Sequence, residues 1–274
     1  MKCIISSIAG WFLFARPCSP LYAAQALLRV HFIDVGYGDA ILVELPDEGK
    51  VLIDAGDAPY AARLTEYLTD HKIKNLEMAI LTHPHKNHFD GFLSVIEGRA
   101  IGKFYDNGDV HQAEEGYDRV VKGMQDKDIP MAILKEGDEL CPGNKNVCFS
   151  VLHPSELTEG VNEDALVLRI TYKEVTFLLT SDIQNPQQEE LISRYPQLKS
   201  ADVVQVPHHG GRIADNFAEF FGKGAIFIVS TGPNEYGKPY TEELDKLKGK
   251  VYRTDVHGPI VLQSDGYSVK VIHE

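Results

Sequence analysis

Three imidazoles, from His83, His85 and His88, fall within Thr82-His83-Pro84-His85-Lys86-Asn87-His88-Phe89-Asp90-Gly91, directly behind an apolar run at residues 78–81. On extended backbone alternate residues point to one side, so His83 and His85 face the same way. A turn into helix after Asn87 brings His88 round to join them. Neutral imidazoles presented together suit zinc or a similar dication, with manganese the alternative. A dication held by protein ligands with one position open turns water into a nucleophile, which is the chemistry of hydrolysis. An isolated histidine is ordinarily a packed or surface side chain. His31, His71, His111, His257 and His273 are read that way.

The elements that must position this cluster follow from hydrophobic periodicity. Residues 28–34 and 40–45 read as strands joined by the tight Gly36-Tyr37-Gly38-Asp39 turn, and residues 51–54 as a third strand. Helical spacing at Ala61, Leu64, Tyr67 and Leu68 precedes the buried strand 78–81. A helix is expected over 89–97. A second strand series follows at 131–134, 147–152, 165–171 and 175–180. Strands at 203–206 and 226–229 then alternate with helices near 187–195, 216–221 and 241–247. Strands at 251–254, 260–263 and 268–272 close the chain. Strand clusters alternating with helices imply an α/β protein of two mixed sheets, face to face, with helices outside. Neither a polar low-complexity stretch nor an internal repeat divides the chain, so residues 27–274 read as one domain.

His83-x-His85-x-Asn87-His88 resembles the H-x-H-x-D-H pattern of the metallo-β-lactamase fold. Further motifs follow in order: Phe32 to Ala40 (FIDVGYGDA), Leu52-Ile53-Asp54-Ala55-Gly56, Leu178-Leu179-Thr180-Ser181-Asp182, Val206-Pro207-His208-His209-Gly210-Gly211 and Tyr236-Gly237-Lys238-Pro239. The succession is similar to the soluble domain of the ComEC/Rec2 DNA-uptake proteins and, more loosely, to bacterial phosphorylcholine esterases. This resemblance implies a four-layer αβ/βα sandwich with a metal site at one edge, and hydrolysis, often of phosphodiesters. It implies that His83 and His85 hold a first metal, that Asp182 bridges, and that His88 with one of His208 or His209 holds a second, His209 being favoured. The other histidine of that pair meets the anionic oxygen of the substrate. Asp54 is expected to brace the metal loop by hydrogen bonds rather than to bind metal. Asp34 and the glycines of the Gly36-Tyr37-Gly38 turn are read as structural.

The departures from the family pattern bear on activity. Asn87 stands where the family has an aspartate that binds metal and orients water, and a neutral amide is a weaker ligand. Two dications about 3.5–4 Å apart need anionic ligands to offset their repulsion, and Asp182 is the one carboxylate expected there. The expectation is therefore one tight site and a doubtful second. Asn162 falls near the place of a further first-site histidine, and His153 in Leu152-His153-Pro154 is the nearest substitute. Lys238 replaces a histidine of the family's Tyr-Gly-His-Pro. It either holds phosphate or carboxylate as a point charge or is a solvated surface lysine.

Residues 1–26 differ in kind. Lys2 precedes an apolar stretch over 3–15, Pro17 and Pro20 break any helix, and Ala24-Gln25-Ala26 has the small-x-small cleavage form. The expectation is a signal peptide and a secreted or periplasmic domain without a stable membrane span after cleavage; a retained anchor is the alternative. The formal net charge is −13. Losing Lys2 and Arg16 deepens it, which disfavours DNA as a partner and favours a small anionic ester or phosphodiester. Cys141 and Cys148 remain, flanking the turn sequence Pro142-Gly143-Asn144-Lys145-Asn146, and a disulfide is expected between them. The leading reading is a metal-dependent hydrolase. The alternative is a non-catalytic binding module that keeps the fold with a degraded second metal site.

Overall fold

The computed structural model describes residues 26–110, 113–143, 146–222 and 224–272. The leader, apart from Ala26, lies outside the described residues, as do His111, His273 and the turn residues Asn144 and Lys145.

Two large mixed sheets form the body. One runs in spatial order Val269–Ile272, Ile260–Ser264, Leu28–Phe32, Ile41–Glu44, Lys50–Ile53, Met78–Ile80, Phe104–Asp106 and Met131–Ile133. The other runs Lys250–Arg253, Ile226–Val229, Val203–Gln205, Val175–Leu179, Val167–Tyr172, Val147–His153 and Glu139–Leu140. Both begin as antiparallel meanders and become parallel where helices enter the connections.

The period of two along each strand divides the side chains between separate cores. Val51 and Ile53 point into the apolar layer between the sheets, as do Met78 and Ile80, while Leu52 and Ala79 point outward. In the second sheet Phe177 and Val203 face inward, and Leu178 and Val204 face out. Every strand near the centre is therefore covered on both faces, which explains its continuous apolar run. The helices Ala61–Asp70, Phe92–Gly98 and Tyr117–Asp126 cover the first outer face through Leu64, Leu68, Phe92, Val95, Val120 and Met124. Asn185–Arg194 and Phe217–Phe220 cover the second through Leu191, Ile192 and Phe217. Each such apolar side chain contributes roughly 1.5–3 kcal/mol on burial. The result is the expected four-layer sandwich.

Some details differ from the periodicity reading. The helix expected over 89–97 is split into Lys86–Phe89 and Phe92–Gly98, because the Gly91 N–H donates to the Gly56 carbonyl at 3.0 Å and the Asn87 carbonyl accepts from Asp39 at 3.2 Å, so the helical bond between them is not made. The strand Phe104–Asp106 and the helix Tyr117–Asp126 were not anticipated. Cys141 and Cys148 form a disulfide across the hairpin whose strands pair Leu140 with Phe149. Among the described residues no helix is long and apolar enough to cross a membrane.

Candidate metal centre

Parallel strands place their carboxyl ends along one edge. Lys50–Ile53 and Met78–Ile80 run parallel, as do Val175–Leu179, Val203–Gln205 and Ile226–Val229. The residues just beyond those ends are Asp54, Thr82-His83, Ser181-Asp182, His208-His209 and Ser230. Four of them adopt left-handed backbone without being glycine: Asp54 (φ 56°), Ser181 (49°), His208 (53°) and His209 (59°). Each costs about 1–3 kcal/mol. Such strain concentrated at one strand edge turns side chains inward that an extended chain would direct elsewhere. The backbone is tied there as well, since the His208 N–H donates to the Ser181 carbonyl at 2.9 Å.

Asp182 is the hub and is 2% exposed. Its Oδ2 lies 3.3 Å from His209 Nε2, 3.5 Å from His88 Nε2, 3.5 Å from His208 Nε2 and 3.8 Å from His83 Nε2. Three of these rings share one arrangement. His88 Nδ1 donates to Asp54 Oδ2 at 2.8 Å, and His209 Nδ1 donates to the Ser230 carbonyl at 3.0 Å. His83 Nδ1 donates to Thr82 Oγ1 at 3.1 Å, and that hydroxyl donates to Asp54 Oδ2 at 2.8 Å. With Nδ1 committed to these partners, Nε2 is the nitrogen turned toward Asp182 and the one that binds a metal once it is deprotonated. This is the outer support that metal-binding histidines ordinarily have. Asp54 further accepts the Thr82 N–H at 2.7 Å, so it braces the loop from its buried position.

His208 is turned the other way. The Gln184 amide donates to its Nδ1 at 2.8 Å and to the Asp182 carbonyl at 3.3 Å. The ring proton of His208 therefore sits on Nε2, which makes this side chain a donor toward an anion rather than a metal ligand. Burial pushes its pKa down to about 4, so it is neutral at physiological pH.

Electrostatics match a site built for cations. Burial lowers the pKa of His83 and His85, leaving them neutral. For His88 burial acts in the same direction, but Asp182 and Asp54 outweigh it and raise its pKa. Burial would raise the pKa of Asp182, yet His209, His88 and His208 hold it well below the usual carboxylate range.

The donors fall into two groups that share Asp182. His83, His85 and Asp182 form one; His88, His209, Asp182 and Asp39 form the other, with ligand atoms in each group within 4.8 Å of one another. His88 Nε2, Asp182 Oδ1 and Asp39 Oδ1 are buried without a hydrogen-bond partner. Buried polar atoms left unpaired require an explanation. Imidazole nitrogens mixed with carboxylates are a donor set that a dication satisfies, so these residues fit a metal.

The remaining expected residues are placed as follows. Asn87 lines the cleft over the centre, and its amide donates to His209 Nε2 at 2.9 Å. Asn162 shares a side-chain hydrogen bond with His85. Lys238 reaches the cleft and donates to the Tyr37 hydroxyl at 3.1 Å. Burial lowers its pKa to about 8, although Asp182 opposes the shift. His153 is not brought to the centre: its Nε2 is engaged by the Glu163 carbonyl at 2.6 Å, and it belongs to neither donor group.

Sequence reasoning missed Asp39, Tyr37 and Gln184. Asp182 was the one carboxylate expected there; the second group also holds Asp39, 1% exposed. The available signal was the Gly38-Asp39 pair itself, read only as a turn. The cleft bounded by Tyr37, His85, Asn87, Asp182, His208 and Lys238 measures about 320 Å³, the size of a small-molecule site.

Comparison with known proteins agrees with this geometry. Over 91% of its length the chain is 27% identical to ComE operon protein 3 of Bacillus subtilis (strain 168), covering 34% of that protein. Over 83% it is 23% identical to competence protein ComA of Neisseria gonorrhoeae, covering 31% of that protein. The chain thus spans about a third of the length of these curated relatives. Among solved structures it resembles the metallo-beta-lactamase fold protein YhfI from Bacillus subtilis, with a TM-score of 0.57 at 16% identity over 87% of this chain and 100% of that one. It also resembles zinc-bound PqqB from Methylobacterium extorquens, with a TM-score of 0.56 at 12% identity over 83% of this chain and 87% of that one. Residues 33–249 match the metallo-beta-lactamase superfamily model, and the chain belongs to that superfamily.

Proposed function

We propose that the protein is a metal-dependent hydrolase of small anionic esters, phosphodiesters foremost, and that it works outside the cytoplasm as a secreted or periplasmic domain. The observation that carries the reading is the pair of donor groups joined through Asp182 beneath a cleft that Lys238 reaches. Zinc is the metal the imidazole-rich set favours, with manganese the alternative, one ion being held firmly and a second more weakly. A dication there supplies Lewis acidity and makes water a competent nucleophile at neutral pH.

The protein's own residues supply the rest. Lys238 sits across the cleft as a point charge for a phosphoryl or carboxylate oxygen. The His208 Nε2–H, fixed by Gln184, donates to an anionic oxygen or a departing alkoxide. Asn87 offers a neutral amide, which orients without adding charge. The formal charge of −13 repels nucleic acid at long range, so a small ester suits the site better than DNA. The solved structures of similar fold include a diphosphatase of the PhnP family, with a TM-score of 0.50, which keeps phosphate chemistry in view. The Cys141–Cys148 disulfide supports an oxidising compartment.

Elemental analysis of the purified protein, followed by turnover of bis(p-nitrophenyl) phosphate with added zinc or manganese, tests the activity. Metal-dependent turnover that is lost in Asp182→Ala is expected. A metal-replete protein that hydrolyses neither this compound nor a panel of small esters would leave the non-catalytic binding module as the reading. Intact-mass measurement of exported protein tests the location, and a mass that retains residues 1–26 would refute cleavage.

A further inference from the structure

We infer that Asp39 is a metal ligand, and that it makes the site on the Asn87 side, with His88, His209 and Asp182, the firmer of the two. This rests on the metal-site reading above but not on any hydrolytic activity.

Three observations carry it. First, Asp39 is 1% exposed and its Oδ1 has no hydrogen-bond partner, while its Oδ2 stands 3.8 Å from His88 Nδ1. A buried carboxylate so placed beside Asp54 and Asp182 either takes a proton or is held ionised by a cation. Second, the backbone holds it in place. The Asp39 N–H donates to the Asn87 carbonyl at 3.2 Å, and its own carbonyl accepts the Gly56 N–H at 2.8 Å. Gly38 makes the approach possible: its φ is 144°, and a side chain there would collide with the Asn87 carbonyl. The turn and the histidine loop are thus stitched together where the missing carboxylate of Asn87 would matter. Third, the donor count favours this side. Its group has two imidazoles and two carboxylates, whereas the other has His83, His85 and the shared Asp182. The other site's neighbour is the neutral Asn162, which adds no negative charge.

A dication at the Asp39 side meets two negative charges, which offset both its own charge and repulsion from a second ion. The charge that Asn87 lacks is carried by the neighbouring loop. The order of affinities is therefore the reverse of that expected from the histidine motif alone.

Calorimetric titration of the metal-free protein with zinc tests this. The natural protein is expected to bind in two phases. Asp39→Asn should weaken the firm phase at least 100-fold, while His85→Ala removes the weak phase and leaves the firm one. A firm phase that persists in Asp39→Asn would overturn the assignment. If Asp39→Asn does not fold, crystals of the unaltered protein with one equivalent of zinc decide it by anomalous scattering. The ion should lie about 2.0–2.2 Å from Asp39; an ion at His83 and His85 instead overturns the inference. Firm zinc binding at Asp39 with no ester turnover would defeat the hydrolase reading and leave this one standing.

Discussion

Replacing Asp54 by asparagine keeps its shape and removes the acceptor on which His88 depends. Asp54 receives three buried donors: the Thr82 N–H at 2.7 Å on one oxygen, and Thr82 Oγ1 and His88 Nδ1, both at 2.8 Å, on the other. An asparagine has one oxygen to offer. If that oxygen faces His88, the amide N–H₂ points at the Thr82 N–H, and an unpaired buried donor costs about 1–3 kcal/mol. If it faces the Thr82 N–H, the N–H₂ points at His88 Nδ1 and forces the ring proton onto Nε2, the nitrogen turned toward Asp182 at 3.5 Å. The second arrangement keeps the Thr82 N–H paired, turns the N–H₂ toward the Thr82 hydroxyl as well, and closes His88 to metal. Loss of such outer support ordinarily weakens metal binding 10–100-fold, about 1.4–2.7 kcal/mol. Calorimetric zinc titration of Asp54→Asn should show that loss at the site containing His88, and ¹⁵N chemical shifts of the imidazole should report the reversed tautomer. Zinc affinity within twofold of the natural protein, with the proton still on Nδ1, would show that Asp54 does not set the ring.

Lys238→Ala should raise KM for an anionic ester about 10–100-fold, the worth of a charge-assisted hydrogen bond. In the natural protein, substrate affinity should fall as pH rises through about 8, where Lys238 loses its proton, and steady-state kinetics should show that limb absent from the variant. Glu44 accepts from His31 at 2.9 Å and pairs with Lys50 at 3.0 Å, and the His31 hydrogen bond, against burial, brings its pKa to about 2. A lowered carboxylate stabilises above its unfolded pKa, near 4.3, and loses that contribution as pH falls toward 2. Thermal melts of Glu44→Gln should accordingly be less stable at pH 7 by about 2 kcal/mol, allowing for solvent screening, and the gap should close in acid. The double variant Cys141→Ser, Cys148→Ser should lower stability by about 2 kcal/mol in urea unfolding, because the bridge closes only a short loop.

The layered architecture was legible because alternation along a strand and covering of both sheet faces write themselves into composition. Residues 51–54 and 78–81 read as strands for the reason that Lys50–Ile53 and Met78–Ile80 are strands: every second side chain enters a different core. The histidine motif was legible for the same local reason, since His83, His85 and His88 are neighbours in the chain. Tyr117–Asp126 was not, because its apolar face, Tyr117, Val120 and Met124, is embedded in a charged stretch. Asp39, Gln184 and Tyr37 escaped for a different cause. Their roles arise from strands distant in sequence ending at one edge, and nothing in Gly38-Asp39 says which loop it will meet. His153 looked suitable by proximity, but the Glu163 carbonyl claims its ring.

The neutral Asn87 looks like a defect only while the ligand set is counted along the histidine loop. Counted across the edge, the charge is present, supplied by Asp39 from a turn whose glycine lets it approach Asn87 backbone to backbone. The Asn87 side chain is then free for other work, and it donates to His209 Nε2 at 2.9 Å. That contact holds the lone pair that a metal would claim. A dication claiming that nitrogen would have to displace the amide. Asparagine at this position thus pairs a buried imidazole nitrogen in the metal-free protein. An aspartate there, facing Asp39 and Asp182, would instead add a third carboxylate to a buried cluster and raise the electrostatic cost of the metal-free fold.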